Sequence, residues 1–371
     1  MAHDMGITKL PDGGWEVRVT VVDPRTGRQR WLRRRTQGTL KEARDLRNEL
    51  RVIARRGEVE PTPSRMRLGD CIESWLRSKA MRVRPSTATE YASTLAHALP
   101  VLGDYYLDAI TAWDIEAWFT EQVKVVKPVT ANNRLRVLRR CLKDSCAKAG
   151  IPNPASFVES VPAGRRRGRG LKPHALRALL DAYNHEDTRP LVLTLAWTGM
   201  RWGEASALRW EDIDQTEGTI VVQRAHWQGR VGKTKSGRER EVPLHPLLRD
   251  ALQEHRRRLL ARQDPGLEAG WCFATLAVRG PDKGSVKLRN PSSVQKPWAR
   301  ACEKAGVKAS PHDLRRTFVD LLRLAEVDAV VEHAIVGHVD DEMRERYSTV
   351  RAPEAAAALN KAFQRVMGEE S

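Results

Sequence analysis

The sequence predicts a mainly α-helical protein with small β-sheets, and three observations lead to this fold class. Between residues 15 and 21, Trp15 and three valines alternate with polar side chains, as in a half-buried strand. From residue 68 onwards, long stretches place apolar residues three and four positions apart, which indicates amphipathic helices. Segments at 60–64 and 151–172 contain several prolines and separate these regions. The 371 residues are therefore expected to form two or three domains.

The N-terminal region, residues 5–36, is expected to form a small three-stranded sheet. Turn residues occur at 12–13 and 23–27, and a Thr39–Glu42 capping box begins a helix that ends near Gly57. The predicted third strand is crowded with arginines: Arg28, Arg30, Arg33, Arg34 and Arg35. A basic sheet face of this kind could lie in a DNA groove, and a solvated face on an accessory domain is the alternative.

Residues 65–160 are predicted to form a unit of four helices. Leu68, Ile72 and Trp75 have helical spacing, and the last helix covers 129–149 and ends at Gly150. The exposed side of that helix is basic and carries Arg134, Arg136, Arg139, Arg140 and Lys143. We expect Arg139 to bind DNA from this surface.

A basic connector follows at 161–172. It contains the run Arg165, Arg166 and Arg167, which we expect to lie along a phosphate backbone. A solvated linker between two domains is the alternative.

The third region, residues 173–352, is predicted to be helical with one β segment. An apolar helix at 191–198 stops at Gly199, and another helix begins at Arg201. Strands are expected at 219–223 and 240–244, joined by a hairpin turn at 233–238. Further helices are expected near 245–262 and 291–305, and in the Ala-rich tail at 353–371. The tail either docks on a neighbouring protomer or packs on its own domain.

The charge balance favours a polyanionic partner. The formal net charge is +17 and the sequence pI is about 10.0, and nucleic acid is the commonest partner of such a chain. An otherwise ordinary basic enzyme is the alternative.

The cysteines are expected to be buried thiols in a reducing compartment. They lack the spacing of metal ligands or of a disulfide framework and stand at Cys71, Cys141, Cys146, Cys272 and Cys302. No apolar run is long enough to span a membrane and no signal peptide is apparent, so we expect a soluble, intracellular protein.

Several residues that could act on a phosphate are weak indicators when each is taken alone. Arg201 with Glu204 is more often a structural pair, and Lys233 at a predicted turn is more often solvated. His312 and Arg315 lie three residues apart on one helix face, where a lone histidine is more often structural. Between residues 312 and 347, two histidines, an arginine and a tyrosine are the parts needed to attack a phosphate without a metal, and the rest of the chain is expected to supply the missing charges or to bring DNA to the site.

The order and spacing of these residues resemble the tyrosine recombinase (phage integrase) family. The motifs are TGMRWGEASALRWEDID, GKTKSGREREVPL, SPHDLRRTF and VGHVDDEMRERY, with Tyr347 nine residues after His338. The resemblance implies a phage-type integrase with five parts. They are an arm-type DNA-binding domain at 1–60, a helical core-binding domain at 65–160, a basic linker at 161–172, a mixed α/β catalytic domain at 173–352, and a helical tail at 353–371.

The resemblance also implies the role of each catalytic residue. Tyr347 is the nucleophile, and Arg201 and Arg315 hold the non-bridging oxygens of the phosphate. Lys233 protonates the 5′-oxygen leaving group, although Lys235 competes for that role. His312 exchanges a proton with the tyrosine, and His338 donates a hydrogen bond to the phosphate. Glu204 orients its neighbours.

Two departures from the family pattern stand close to these residues. Asp340, Asp341 and Glu342 occupy positions that are more often small and polar, and Arg316 stands where many relatives have histidine. The three carboxylates are not expected to form a metal site, because the positive cluster of the site already supplies the charge that a metal would bring.

The function implied is site-specific recombination through a 3′-phosphotyrosine intermediate and a Holliday junction, which integrates or excises a viral or other mobile element. The partners implied are double-stranded DNA with core and arm sites, three further copies of the chain in a homotetramer, and accessory bending and directionality factors. No ATP, metal or cofactor is expected, and the protein is expected in the cytoplasm of a bacterial host, at the nucleoid when bound. The alternatives are a chromosome-dimer recombinase, a type IB topoisomerase and a catalytically silent DNA-binding protein.

Overall fold

The computed structural model describes residues 6–11, 13–22, 29–56, 66–164, 170–337 and 352–367. The chain divides into two compact units, Met1–Arg165 and Arg166–Ser371. The predicted turn residues Asp12 and 23–27, the proline segment 60–64 and the arginines at 165–167 lie outside the described residues.

The N-terminal sheet and its helix are confirmed. The strands β1 (Ile7–Lys9), β2 (Trp15–Val22) and β3 (Gln29–Thr36) form an antiparallel sheet in that order, and α1 (Leu40–Arg56) follows. The predicted capping box begins α1, since the Thr39 backbone N–H donates to Glu42 Oε2 over 3.0 Å. Buried side chains of β2 and α1 form a small core: Val17, Val19, Ala43 and Leu50.

The register of β2 and β3 divides the predicted arginines between the two faces of the sheet. Arg33 lies opposite Arg18, whereas the next residue, Arg34, lies opposite the fully buried Val17. Because successive side chains of a strand point to opposite faces, Arg33 and Arg35 share the face away from α1, and Arg34 lies on the side of the core.

The remainder of the first unit is the predicted helical bundle. Its helices are α2 (Leu68–Ala80), α3 (Pro85–Leu95), α4 (Leu99–Leu102), α5 (Ala112–Val125) and α6 (Pro128–Ala149). Four of them correspond to the predicted helices, and α4 is one additional turn. Trp75, Trp118 and Leu138 belong to its core, and α6 ends at Gly150, where φ is +68°.

The second unit is mainly helical. Its helices are α7 (Pro173–Ala182), α8 (Arg189–Thr198), α9 (Trp202–Ser206), α10 (Pro246–Ala261), α11 (Pro265–Glu268), α12 (Gln295–Lys304), α13 (Pro311–Leu324), α14 (Ala329–Val336) and α15 (Ala352–Met367). Its strands are β4 (Ile213–Asp214), β5 (Thr219–Val222), β6 (Arg224–Trp227), β7 (Arg230–Lys233), β8 (Arg240–Pro243), β9 (Ala274–Leu276) and β10 (Val286–Leu288). All described pairings in this unit are antiparallel.

The β segment of this unit is more elaborate than predicted. The two expected strands do pair, with Ile220 of β5 opposite Val242 of β8. Between them, however, the chain forms the hairpin β6–β7, which turns at Gln228 and Gly229 with φ of 45° and 80°. The prediction that Lys233 lies at a hairpin tip is therefore wrong, because Lys233 ends β7 opposite Arg224.

The chain enters the second unit along α13. The backbone N–H of Gly170 donates to Asp320 Oδ2 over 2.7 Å, and that of Leu171 donates to Thr317 Oγ1 over 2.8 Å. A Cβ atom at residue 170 would lie 2.5 Å from the Cα of Thr317. Only glycine allows this close approach.

The tail helix α15 packs on its own unit. Its buried side chains join the core of the second unit at Ala355, Leu359, Ala362, Phe363 and Val366. Of the two possibilities for the tail, the structure shows packing on its own domain.

The cysteines are buried thiols, as predicted. Burial raises the pKa of Cys141 to about 12, so this thiol is inert at neutral pH. Within the described ranges, no helix combines the length and apolar character that a membrane span requires.

Candidate active site

Arg315 lies at the centre of the candidate site and joins the ends of two helices. It is carried by α13, which begins with a capping box in which Ser310 N–H donates to Asp313 Oδ2 over 2.8 Å. The Arg315 side chain is buried and donates from Nη1 to the carbonyl of Gly199 over 2.6 Å and from Nη2 to that of Val336 over 2.8 Å. These carbonyls end α8 and α14 and carry partial negative charge. A guanidinium has five N–H donors, so others remain for a ligand.

The charges around Arg315 favour the binding of an anion. Burial, followed by the positive charge of Arg201, lowers the pKa of Arg315 to about 10. The guanidinium therefore remains charged at neutral pH, close to a second guanidinium. An anion placed between them would relieve the repulsion.

Glu204 holds Arg201 in place. Arg201 immediately precedes α9, and its backbone N–H and Nη1 donate to the two carboxylate oxygens of Glu204 over 3.0 and 2.9 Å. Arg240 of β8 donates from Nη2 to Glu204 Oε2 over 2.6 Å. Glu204 is only 2% exposed, and these three donors satisfy its carboxylate.

Glu204 is ionised despite its burial. Burial alone would raise the pKa of this carboxyl, but the charge and hydrogen bond of Arg240, together with Arg201, outweigh it and hold the pKa below its ordinary value. The site contains three guanidinium groups and one buried carboxylate, which leaves an excess of positive charge.

His312 lies one turn before Arg315 on the same helix. Burial and then the charge of Arg316 lower its pKa below that of an ordinary histidine, and Arg315 and Arg201 act in the same direction. At neutral pH the imidazole is uncharged and can accept a proton.

Lys233 is exposed at the end of β7, and its ammonium has no ion-pair partner among the described side chains. The following residue, Thr234, is fully buried and donates from its hydroxyl to the carbonyl of Arg238 over 2.7 Å. This bond holds a tight turn, with Lys235 exposed on it. The geometry thus gives both lysines freedom to reach a ligand.

The structure brings together only some of the predicted site residues. Arg201 and Glu204 are joined directly, and the charges of both act on the pKa of Arg315. The charges of Arg201 and Arg315 in turn lower the pKa of His312. His338 and Tyr347 lie outside the described residues, as do Asp340, Asp341 and Glu342. The last residue before them is Gly337, which caps α14 with φ of +72°.

The predicted DNA-binding residues are scattered over the first unit and the connector. Arg33, Arg34 and Arg35 lie on β3, and Arg165, Arg166 and Arg167 lie outside the described residues. Arg139 donates to the carbonyls of Ala155 and Val158, at 3.1 and 2.5 Å, so part of its guanidinium is used within its own unit. Its binding to DNA stays a prediction.

Arg240 is a site residue that the sequence reasoning did not identify. The period of two along β8 places Arg240 on the same face as Val242, which is fully buried. An arginine on the inward face of a strand needs a buried partner, and this pattern was available in the sequence. No group of three His, Cys, Asp or Glu side chains suited to a metal ion occurs in the described part of the chain.

Two family profiles match the chain. The Phage integrase family profile matches residues 169–354, and the profile of the phage integrase N-terminal SAM-like domain matches residues 67–122. The second match falls on the helical bundle of the first unit, and the first contains all six predicted catalytic residues.

Individual relatives are more distant. The chain is 26% identical over 243 residues to tyrosine recombinase XerA of Thermococcus kodakarensis, covering 64% of this chain and 79% of that protein. It is also 26% identical over 266 residues to the putative prophage phiRv2 integrase of Mycobacterium tuberculosis, covering 67% of this chain and 65% of that protein.

Solved structures share the fold. A lambda integrase tetramer bound to a Holliday junction matches with a TM-score of 0.59 at 17% identity, covering 92% of this chain and 97% of that one. The Tn1549 transposon integrase in complex with circular intermediate DNA matches with a TM-score of 0.60 at 18% identity, covering 79% and 98%. Since the family profile covers half of this chain and includes the site described above, the chain belongs to the phage integrase family of tyrosine recombinases.

Proposed function

We propose that this site-specific DNA recombinase cleaves and rejoins DNA through a 3′-phosphotyrosine intermediate formed on Tyr347. The observation that carries the proposal is that Arg315 is fixed to the ends of α8 and α14 and Arg201 is held by Glu204, with the two guanidinium groups close enough for the charge of Arg201 to lower the pKa of Arg315. In-line attack on a phosphodiester gathers negative charge on two non-bridging oxygens. Two guanidinium groups can hold those oxygens by bidentate hydrogen bonds and so replace a metal ion.

The chemical step balances with the residues of this chain. The Tyr347 phenol loses its proton to the uncharged imidazole of His312, and its oxygen forms a bond to phosphorus. The bond from phosphorus to the 5′-oxygen breaks, and Lys233 donates a proton to that oxygen. His338 donates a hydrogen bond to the phosphate. The phosphodiester is exchanged for a phosphotyrosine of similar energy, so rejoining by the reverse step needs no ATP.

We assign different DNA sites to different parts of the chain. The helical bundle and the second unit bind the core site, and the face of the N-terminal sheet that carries Arg33 and Arg35 binds arm sites. Arg139 and the arginines at 165–167 add contacts to phosphates. The similarity to an integrase tetramer on a Holliday junction supports four copies of this chain acting on two duplexes. The proposed setting is the cytoplasm of a bacterial cell, where the enzyme integrates or excises a mobile element.

The proposal is tested by covalent capture. The full chain is incubated with a library of randomised duplexes, and the DNA that becomes attached to protein is sequenced to define a core duplex. On that duplex, nicked to prevent rejoining, the wild-type protein should form an adduct by a 3′ end, and Tyr347→Phe should form none. An adduct with Tyr347→Phe would refute the assignment of the nucleophile.

The same material separates the recombinase from a type IB topoisomerase. A plasmid pair that carries the selected duplex should be joined by the wild-type protein. Relaxation of supercoils without joining of two sites would favour the topoisomerase.

A further inference from the structure

We propose that Arg240 is a positioning residue that holds Arg201 in its phosphate-binding geometry through the carboxylate of Glu204. The inference rests on the role proposed above for Arg201. Arg240 is almost as enclosed as Glu204, with side chains 9% and 1% exposed, and the two are joined over 2.6 Å. The Arg201 side chain is 28% exposed, so part of its guanidinium group is open to solvent and available to a phosphate.

Arg240 makes a second hydrogen bond in addition to its ion pair with Glu204, and this bond fixes the position of its side chain. Its Nε donates to the carbonyl of Ile335 over 3.0 Å. The next carbonyl along α14, that of Val336, accepts from Arg315. Both arginines of the proposed clamp are therefore fixed to adjacent carbonyls at one helix end: Arg315 directly, and Arg201 by way of Glu204 and Arg240. This arrangement sets the separation between the two guanidinium groups.

Gly337 supports the same arrangement. A Cβ atom at this position would lie 3.0 Å from Cδ and 3.2 Å from Nε of Arg240. These contacts are shorter than ordinary van der Waals contacts. Because Gly337 has no side chain, the Arg240 side chain can lie this close to the end of α14.

The experiment uses chemically altered phosphates to separate positioning from folding. Single-turnover adduct formation is measured for the full chain on the selected core duplex in three forms. The scissile group is an ordinary phosphate, an uncharged methylphosphonate, or a phosphate with sulfur in the 5′-bridging position. The methylphosphonate has less charge for the arginines to neutralise, and the sulfur is a leaving group that needs no proton.

Arg240→Met should lower the rate on the ordinary phosphate by about 10²-fold, the loss that a misplacement of about 1 Å can cause. On the methylphosphonate, its rate should come within a few-fold of the wild-type rate on the same substrate. The 5′-sulfur should give no such recovery. Lys233→Ala is the matched control and should show the opposite pattern, with recovery on the sulfur substrate only.

Two further variants keep the test independent of misfolding. Arg240→Lys retains the buried positive charge but cannot reach both Glu204 and Ile335, so it should show the same pattern with a smaller loss. In an Arg201→Ala background, Arg240→Met should cause little additional loss, because both changes disable the same guanidinium. Equal losses on all three substrates, or multiplicative losses in the double variant, would overturn the proposal. If the wild-type protein formed no adduct on any duplex, the proposed function itself would fail instead.

Discussion

The Phe363 ring of α15 lies 4.0 Å, centroid to centroid, from the Trp197 ring of α8, at an angle of 59°. Trp197 also stacks on His245, with centroids 4.9 Å apart. The tail helix thus completes the packing around α8, which ends at the Gly199 carbonyl that holds Arg315. The tail is a structural part of the second unit, and by packing on α8 it stabilises the helix whose end accepts a hydrogen bond from Arg315.

Phe363→Ala should therefore destabilise the second unit by about 3–5 kcal/mol, since the ring is fully buried and its removal leaves a cavity. Denaturant unfolding of the full chain, followed by the fluorescence of tryptophan, measures the change. Lys361→Ala on the exposed side of the same helix is the control and should change stability by less than about 0.5 kcal/mol. Equal effects of the two changes would show that α15 does not contribute this packing.

The two exposed lysines near the turn after β7 should differ in their effect on cleavage. Lys233→Ala should lower the rate of adduct formation by about 10²–10⁴-fold, the usual contribution of a general acid. Lys235→Ala should change it little, although both changes remove one positive charge from positions only two residues apart. The measurement is single-turnover cleavage of the nicked core duplex. If Lys235→Ala gave the larger loss, the role of general acid would pass to Lys235.

The lowered pKa of His312 predicts how cleavage depends on pH. An uncharged imidazole is the active form of a base, so the rate should fall only when the pH drops through the folded pKa of His312. That pKa lies below the ordinary value of about 6.5, so activity should persist below that pH. Arg316→Gln removes a positive charge that lowers this pKa, so it should move the acid limb of the pH–rate profile upwards.

The matched control for the pH experiment is Lys308→Gln, which makes the same charge change at an exposed position just before α13. It should leave the acid limb where it is in the wild-type protein. A profile that does not move in Arg316→Gln would show that His312 is not the base.

The faces of the N-terminal sheet predict different effects for neighbouring arginines. Arg33 lies on the face away from α1, whereas Arg34 lies on the side of the core. Arg33→Gln should weaken binding to arm-type DNA and reduce the slope of log affinity against log salt by about 1. Arg34→Gln should leave the slope nearly unchanged. The duplex for this measurement is selected by the full chain in the presence of excess core duplex.

Equal changes in the two slopes would argue against binding by one face of the sheet. If neither variant changed its slope, the sheet would not be part of the proposed DNA interface.

Much of the architecture could be predicted because it follows local rules. The alternation around Val17 and Val19, the capping boxes at Thr39 and Ser310, and the glycine after α6 each depend on a few neighbouring residues. The spacing of His312 and Arg315 on one helix is likewise local. The order of the chemical groups was distinctive enough to indicate the family.

The remainder depends on contacts between distant segments. The β6–β7 hairpin was missed because it turns at Gln228 and Gly229, which is a weaker turn pattern than Asn-Gly, and its strands do not alternate clearly. Arg240 was missed because its role depends on Glu204 and Ile335, which come from two other elements. The opposite orientation of Arg33 and Arg34 follows from strand alternation, but which of the two faces α1 becomes clear only when the register of the strands is known.

The two backbone hydrogen bonds that Gly170 and Leu171 make to α13 also couple the movement of these residues to that helix. They fasten the start of the second unit to Asp320 and Thr317, on the helix that bears His312 and Arg315. A displacement of the chain at residues 170 and 171 would therefore be transmitted directly to that helix. The positions of His312 and Arg315 thus depend on how the start of the described part of the second unit is held.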